Sequence, residues 1–518
     1  MTAVKDTEVK NKTDFFTAWP KIIGLSGAVF MMIPLLLILI KDRPQEYEHL
    51  ISNKGMLPLC VIFITVCFIV FRICKSKDLT SAKMSRLLII GYLIIFLIQI
   101  YIARNTYFLT GWDPGMARFR AEYIVGGGDM VGVGAASGYS VYPNNLMIFY
   151  TLYLIMKVAV LFHFSDLYIL CVYASCFCVT FSCLLGSLLC NQFLKSRIAV
   201  ALYTFLSFFL LVCSPWVSIP YTDTFGIFFV MLALYLFFRI PNFYIRTGLL
   251  ILTAFTGYMM KPTCIFTLFA VMLIYLPKVF QKIRVKKSLF LLGMLVIGYF
   301  ITLGMPLWIQ NTLSFQLDPE ARMSYAHFLL IGSNADSYGG WNDEDYWIGT
   351  NTEGYEARKT LELNTAIERY KNYSYLELKK HLQNKMLFIM NDGTFAWTKE
   401  GSFFETEIEH DSFLYPIAKE LFTPDGKYYL AYKTIVQFLW IVVLLGIPFS
   451  AFSKSVESQT TAILFTAICG LITFLMIFEA RARYIFLYAP VFIILSAIGY
   501  YTLFTKLINM NIHIKKNT

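Results

Sequence analysis

Long apolar runs recur along the whole chain, and each must be covered either by protein or by lipid. Ile22 to Ile40 is the first of them, and several approach or exceed the roughly 20 residues a helix needs to cross hydrocarbon. With 57% of the 518 residues hydrophobic and 15% charged, a water-soluble surface of ordinary composition cannot be assembled. The strict alternation of a transmembrane β-barrel is weak here. The expected class is an all-α polytopic membrane protein with about twelve spans.

The first run follows Lys5, Lys10, Lys12 and Lys21, as a secretory signal would, but it is long for one and no small-residue cleavage site precedes "KDRPQEY". It reads as a retained anchor. The eleven cysteines fall within or beside apolar runs and none lies in the long polar loop, so no disulfide framework is implied on an outer face. Cys176, Cys178 and Cys183 lack an interleaved histidine and read as small buried side chains rather than metal ligands.

Charge orients the spans. The net charge is +11, yet Asn311 to Tyr432 holds nineteen acidic and eleven basic residues, so the remainder is strongly basic. Clusters at Arg72, Lys75, Lys77, Lys83 and Arg86, at Arg239 and Arg246, at Lys278 to Lys287, and at Lys506, Lys515 and Lys516 mark the cytoplasm by the positive-inside rule. The organisation expected is a cytoplasmic N-terminus (1–21), a first membrane region (22–310), an outer loop region (311–432), the last spans (433–505) and a cytoplasmic tail (506–518). An outer loop at 104–142 lies inside the first membrane region. Alternation fails only if Pro143 to Phe162 is a full span, so that segment (143–162) is expected as a juxtamembrane helix on the outer surface. In the second loop, "TAIERYKNYSYLELKKHLQNKMLFIM" has the spacing of amphipathic helices.

On that topology Asp113, Asp223, Lys261, Arg481 and Arg483 reach one outer boundary. Arginine clamps phosphate oxygens with a planar fork, lysine adds a point charge, and a nearby carboxylate takes a proton from a hydroxyl or holds a divalent cation. "GWDPG", "VYPNN", "PYTDT" and "EARARYIFLYAP" stand in the order that resembles the C-type glycosyltransferase superfamily, which includes protein O-mannosyltransferases and aminoarabinose transferases. The resemblance covers about Trp112 to Pro490, and "VYPNN" is similar to Gram-positive cell-envelope variants.

The resemblance implies a sugar donor on a polyprenyl phosphate, with undecaprenyl phosphate the expected carrier, and an inverting single displacement in a bacterial plasma membrane. It makes Asp113 the base, and Arg481, Arg483 and Lys261 the ligands of the donor phosphate. Tyr142, Asn144, Asn145, Asp223 and Tyr484 are candidate substrate contacts, with Glu122, Asp129 and Glu479 behind them. A divalent cation is left open as cofactor. The acceptor would be a cell-wall polymer, a lipid-linked glycan or a protein.

Plainer readings stand beside these. Asp113 before Pro114 suits a turn, Asp223 and Asn145 suit helix starts, Lys261 can snorkel, and Arg481 and Arg483 can anchor an interface. Gly126 to Gly128 lack a nucleotide-loop pattern, and "GGWNDEDYW" lacks calcium-loop spacing and reads as a solvated loop. A lipid flippase or transporter would need a charged path into the cytoplasmic half or two related halves, and neither is visible. A noncatalytic polyprenyl-lipid partner would use the arginines but not Asp113.

Overall fold

The computed structural model describes residues 2–41, 48–74, 81–281, 285–401, 404–406, 408 and 410–517. The markers Lys75, Lys77, Lys282 and Arg284 lie outside them. The end of the helical bundle that carries Asp113 is called the upper end below.

Helix α1 (Thr2–Ile40) rises to the upper end and α2 (Asn53–Cys74) returns, with Asn53 donating to the Ile38 carbonyl at 3.0 Å. Helix α3 (Ser81–Arg104) rises again. Between it and the next long helix come β1 (Leu109–Thr110), α4 (Asp113–Val125), α5 (Ala135–Val141), a 3₁₀ turn at Pro143–Asn145 and α6 (Leu146–Leu161). Helix α7 (Tyr168–Leu194) then descends antiparallel to α3. Asn191 donates to the Ser81 carbonyl at 2.9 Å, Tyr92 meets Ser187 at 2.9 Å, Thr180 donates to Gln99 at 2.6 Å, and Tyr107 donates to Asp166.

That ladder settles how α6 runs. Its start, at Asn145, shares the Tyr221 hydroxyl with Asp113, and its end leads within five residues to Asp166 at the top of α3. Helix α6 therefore begins and finishes at the same end of the bundle, although its length and composition alone would let it cross a membrane.

The chain continues up through α8 (Arg197–Ser207) and a π-turn at Phe208–Val212, whose last carbonyl accepts from Gln99 at 2.9 Å. Helices α9 (Thr222–Arg239), α10 (Phe243–Met260), α11 (Phe266–Gln281) and α12 (Val285–Thr312) alternate down and up. The upper region follows: α13 (Tyr325–Ser333), α14 (Asp343–Thr350), α15 (Tyr355–Asn372), α16 (Tyr375–Met390), β2 (Phe404–Thr406) and α17 (Leu414–Phe422). Helix α18 (Tyr429–Gly446) descends, α19 (Ser458–Ile477) rises and α20 (Ala489–Asn517) descends.

Among the described residues, eleven helices are long and apolar enough to span a membrane. Removing α6, and adding the two shorter apolar segments Arg197–Val212 and Pro262–Tyr275 that do run from end to end, leaves twelve passages among the described residues. The molecule is an all-helical, multi-pass integral membrane protein. Helices α2 and α12 show most of their surface, as lipid-facing helices do, whereas α7, α9, α18, α19 and α20 form the core. Where α20 crosses the end of α18 the backbones touch: a Cβ on Gly499 would sit 1.9 Å from the Gly446 carbonyl oxygen, so only glycine fits.

The amphipathic helices expected in the second loop are α15 and α16, divided at Ser374, whose capping box with Glu377 starts α16. One short antiparallel pair, Leu109 opposite Thr406, stitches the two upper loops together.

Candidate functional site

The "GWDPG" segment folds as the start of α4. Trp112 is extended and Asp113 begins the helix with Pro114 behind it, a position where proline costs no hydrogen bond. Gly115 lies so close to Thr110 that a Cβ there would stand 1.8 Å from its carbonyl oxygen. Asp113 is exposed, sits at a helix N-terminus that favours negative charge, and accepts from the Tyr221 hydroxyl at 3.1 Å.

Beside it lies a buried ionic cluster built from four separate parts of the chain. Asp223, in the first turn of α9, takes Lys261 on one oxygen and Arg483 Nε at 3.3 Å on the other. Lys261 stands where α10 stops before Pro262. Arg483, in the 3₁₀ segment Ala482–Tyr488, also lies 2.7 Å from Glu400 Oε2, while Arg481 Nε is 3.2 Å from Glu400 Oε1. Aromatic faces complete the enclosure. The Arg483 guanidinium lies 4.2 Å over the Trp112 ring, and Lys261 lies 4.4 Å over Tyr484. The Trp112–Asp113 dipeptide thus packs against the cations with one residue and offers a carboxylate with the next.

Of the residues singled out from sequence, Asp113, Asn145, Asp223, Lys261, Arg481, Arg483 and Tyr484 come together. Glu479 joins them by accepting from Tyr484 at 2.9 Å. Asn145 meets Tyr221 at 3.3 Å; its side chain caps no helix. Asn144 is exposed and donates to its neighbour Asn145 at 3.4 Å. Tyr142 turns to His327, 3.2 Å away. Glu122 pairs with Arg118 one turn along its own helix at 2.6 Å, and the exposed Asp129 accepts from Val131 and Gly132 in its own turn. Among the described residues, neither contacts a member of the cluster. Among the described residues no group of three or more His, Cys, Asp or Glu is arranged to hold a metal ion.

Asp223 differs from the expectation of a substrate contact in one respect: both of its oxygens face cations of the protein. Burial explains this, because a desolvated lysine or arginine needs a counter-charge close by.

Glu400 carries no sequence signal and is the residue that joins the two arginines. It arrives on a π-turn, Trp397–Gly401, after a backbone segment in which Phe395 (φ 54°) and Ala396 (φ 65°) both adopt the left-handed region. Such residues cost about 1–3 kcal/mol each and persist where surroundings hold them. Here the buried Asp392 accepts from the Thr394 and Ala396 amides at 2.8 and 2.7 Å, and Trp216 donates to the Thr394 and Phe395 carbonyls at 3.1 Å.

Burial works to raise the Glu400 pKa, but Arg483 and then Arg481 outweigh it and hold the carboxyl below its ordinary range. A depressed pKa stabilises the fold above the unfolded value, about 4.3, and that contribution is lost as pH falls through the folded value. Glu400→Gln is expected to lower the thermal midpoint at neutral pH and to flatten its decline below about pH 4. Thermal unfolding in detergent across pH reads both; an unchanged midpoint and acid slope would remove Glu400 from the cluster's energetics.

A groove of about 600 Å³ lies between α11 and α19, lined by Phe266, Leu273, Thr466 and Gly470 among others, and starts five residues beyond Lys261. Its wall is almost entirely apolar.

A family model described as "Conserved hypothetical integral membrane protein" matches residues 23–503. No curated protein matches the chain. Among solved structures, the chain is similar to ArnT from Cupriavidus metallidurans, crystallised with undecaprenyl phosphate, at 12% identity over 80% of this chain and 77% of that one, with a TM-score of 0.29. At that score no residue can be carried from one chain to the other.

Proposed function

The chain belongs to the family of conserved hypothetical integral membrane proteins, and we propose that it is an inverting glycosyltransferase using a polyprenyl-phosphate sugar at the outer face of a bacterial plasma membrane. The observation that carries this reading is an exposed carboxylate, Asp113, joined through Trp112 and Tyr221 to a cluster of Lys261, Arg481 and Arg483.

Orientation follows from charge. Lys195, Arg197, Arg239, Arg246, Lys286, Lys287, Lys454 and Lys506 belong to the lower end, which the positive-inside rule assigns to the cytoplasm. The upper end then faces out, and α6 lies along the membrane surface. No nucleotide sugar is available there, so a donor must come on a lipid.

In the proposed step Asp113 removes the acceptor hydroxyl proton as that oxygen bonds to the anomeric carbon. The bond from that carbon to the donor phosphate oxygen breaks, and the phosphate leaves with the electron pair. Three cations face Asp223 and Glu400, with Glu479 reached through Tyr484, and two Arg483 donors, Nε and one terminal nitrogen, meet carboxylates at short range without hydrogen-bond alignment. These misaligned donors are available to turn toward phosphate. A preorganised, partly dry cationic site is where stabilisation of a developing phosphate charge is strongest. The apolar groove between α11 and α19 has the chemistry to take the isoprenoid chain.

Purified protein in nanodiscs, given a panel of polyprenyl-phosphate sugars and hydroxyl acceptors with and without chelator, is expected to release polyprenyl phosphate only when acceptor is present. Donor binding without release under any pairing would instead identify a noncatalytic lipid-binding protein. Net movement of the lipid between leaflets would identify a flippase.

A further inference from the structure

The upper region holds a second constellation that the transfer step does not use. Tyr142 Oη lies 3.2 Å from His327 Nε2, and His327 Nδ1 lies 2.9 Å from Glu362 Oε1. Both His327 and Glu362 are fully buried, and Glu362 Oε2 has no hydrogen-bond partner. A buried carboxylate holding an imidazole that in turn holds a hydroxyl is an orienting device, because the outer partners fix the ring and its tautomer. The hydroxyl it orients is pushed above its ordinary range by burial first, and then by the charges of Tyr346, Glu479 and Asp113. Tyr142 is thus within electrostatic reach of both Asp113 and Tyr346.

Helix α14 is seated on this device through Gly349. A Cβ there would lie 2.5 Å from Glu362 Oε1 and 3.2 Å from His327 Nδ1. Tyr346, three residues earlier, shares that face of the helix. Its ring lies 5.1 Å from Trp347 and 6.1 Å from Trp341. The two indoles, of Trp347 and Trp341, remain 54% and 44% exposed. The exposed Asp343 and Glu344 flank them.

We propose that Tyr142, Tyr346, Trp341 and Trp347 form an acceptor subsite that stacks an uncharged carbohydrate ring and leads its hydroxyl toward Asp113. The inference rests on the glycosyltransferase reading and names the acceptor class. The C–H face of a pyranose packs on an aromatic ring, whose face carries partial negative charge, while carboxylates at the rim accept from sugar hydroxyls. Charge selects among ligands. Asp343 and Glu344 repel a polyanionic polymer and an anionic lipid surface alike, and leave a neutral glycan favoured.

The test is tryptophan fluorescence of the full chain in nanodiscs, titrated with chitotetraose, cellotetraose and mannotetraose, and with a glycerol-phosphate oligomer of matched length. Saturable change with at least one neutral oligosaccharide and none with the phosphate oligomer is expected. Trp347→Ala should weaken that affinity about tenfold, Trp347→Phe should restore much of it, and Tyr142→Phe should weaken it with both indoles present.

No response to any neutral oligosaccharide overturns the subsite. So does preference for the phosphate oligomer, or a blue shift on adding empty anionic vesicles that marks the indoles as membrane-seated. Sugar binding in a protein that never releases polyprenyl phosphate would keep the subsite and remove the glycosyltransferase reading.

Discussion

Asp113→Asn is expected to lower acceptor-dependent turnover by ~10²–10⁴, the usual worth of a general base, while the donor lipid still binds. Asparagine keeps the size of the side chain and can still meet the Tyr221 hydroxyl, so the cluster behind it is left standing. What it cannot do is take a proton. Single-turnover release of polyprenyl phosphate, with donor binding measured separately, distinguishes the two effects. Turnover equal to that of the unchanged protein would exclude Asp113 as the base and favour a role at the helix start. Loss of donor binding together with turnover would assign Asp113 to the donor site instead.

The second large effect is expected at Arg483, which lies between Asp223, Glu400 and the Trp112 ring. Arg483→Ala leaves two buried carboxylates with less counter-charge, and breaking a buried pair from one side costs about 3–5 kcal/mol. A lower thermal midpoint and lost donor binding should appear together. Arg483→Lys keeps the charge but not the fork or the stacked plane, so it should recover stability better than affinity.

Stability and binding are separated by the double variant Arg483→Met with Glu400→Gln. Removing both partners of a buried pair is far milder than removing one, so the fold should be largely regained while donor binding stays lost. Donor binding that returns with the fold would show the arginine to be structural only.

Much of the site was legible from residue types. Asp113, Lys261, Arg481 and Arg483 drew notice because charge is expensive at a membrane boundary, and the structure gathers all four around Tyr221, Asp223 and Glu400. Glu400 escaped notice because it is one acid among many in a polar loop. Its place depends on two left-handed residues and a buried Asp392, none of which has a sequence period. His327 and Glu362 were silent for the same reason, since they meet across 35 residues and two helices. The partners of Asp223 are not legible in the sequence, which does not say which cation a buried carboxylate will face.

The division between what sequence and tertiary structure decide is clearest in the helices. Composition alone determined a multi-pass helical membrane protein, because hydrocarbon forces every crossing backbone into hydrogen-bonded helix whatever the detail. Hydropathy also supplied most of the crossings. It could not separate α6, apolar enough to cross, from the shorter Arg197–Val212, which runs from end to end of the bundle. Charge alternation already pointed that segment to one face, and the contacts of Tyr221 and Tyr107 hold both ends of it on one side of the bundle. The transfer of a helix to lipid is a local property of its side chains, whereas its direction is fixed by contacts between residues far apart in the chain.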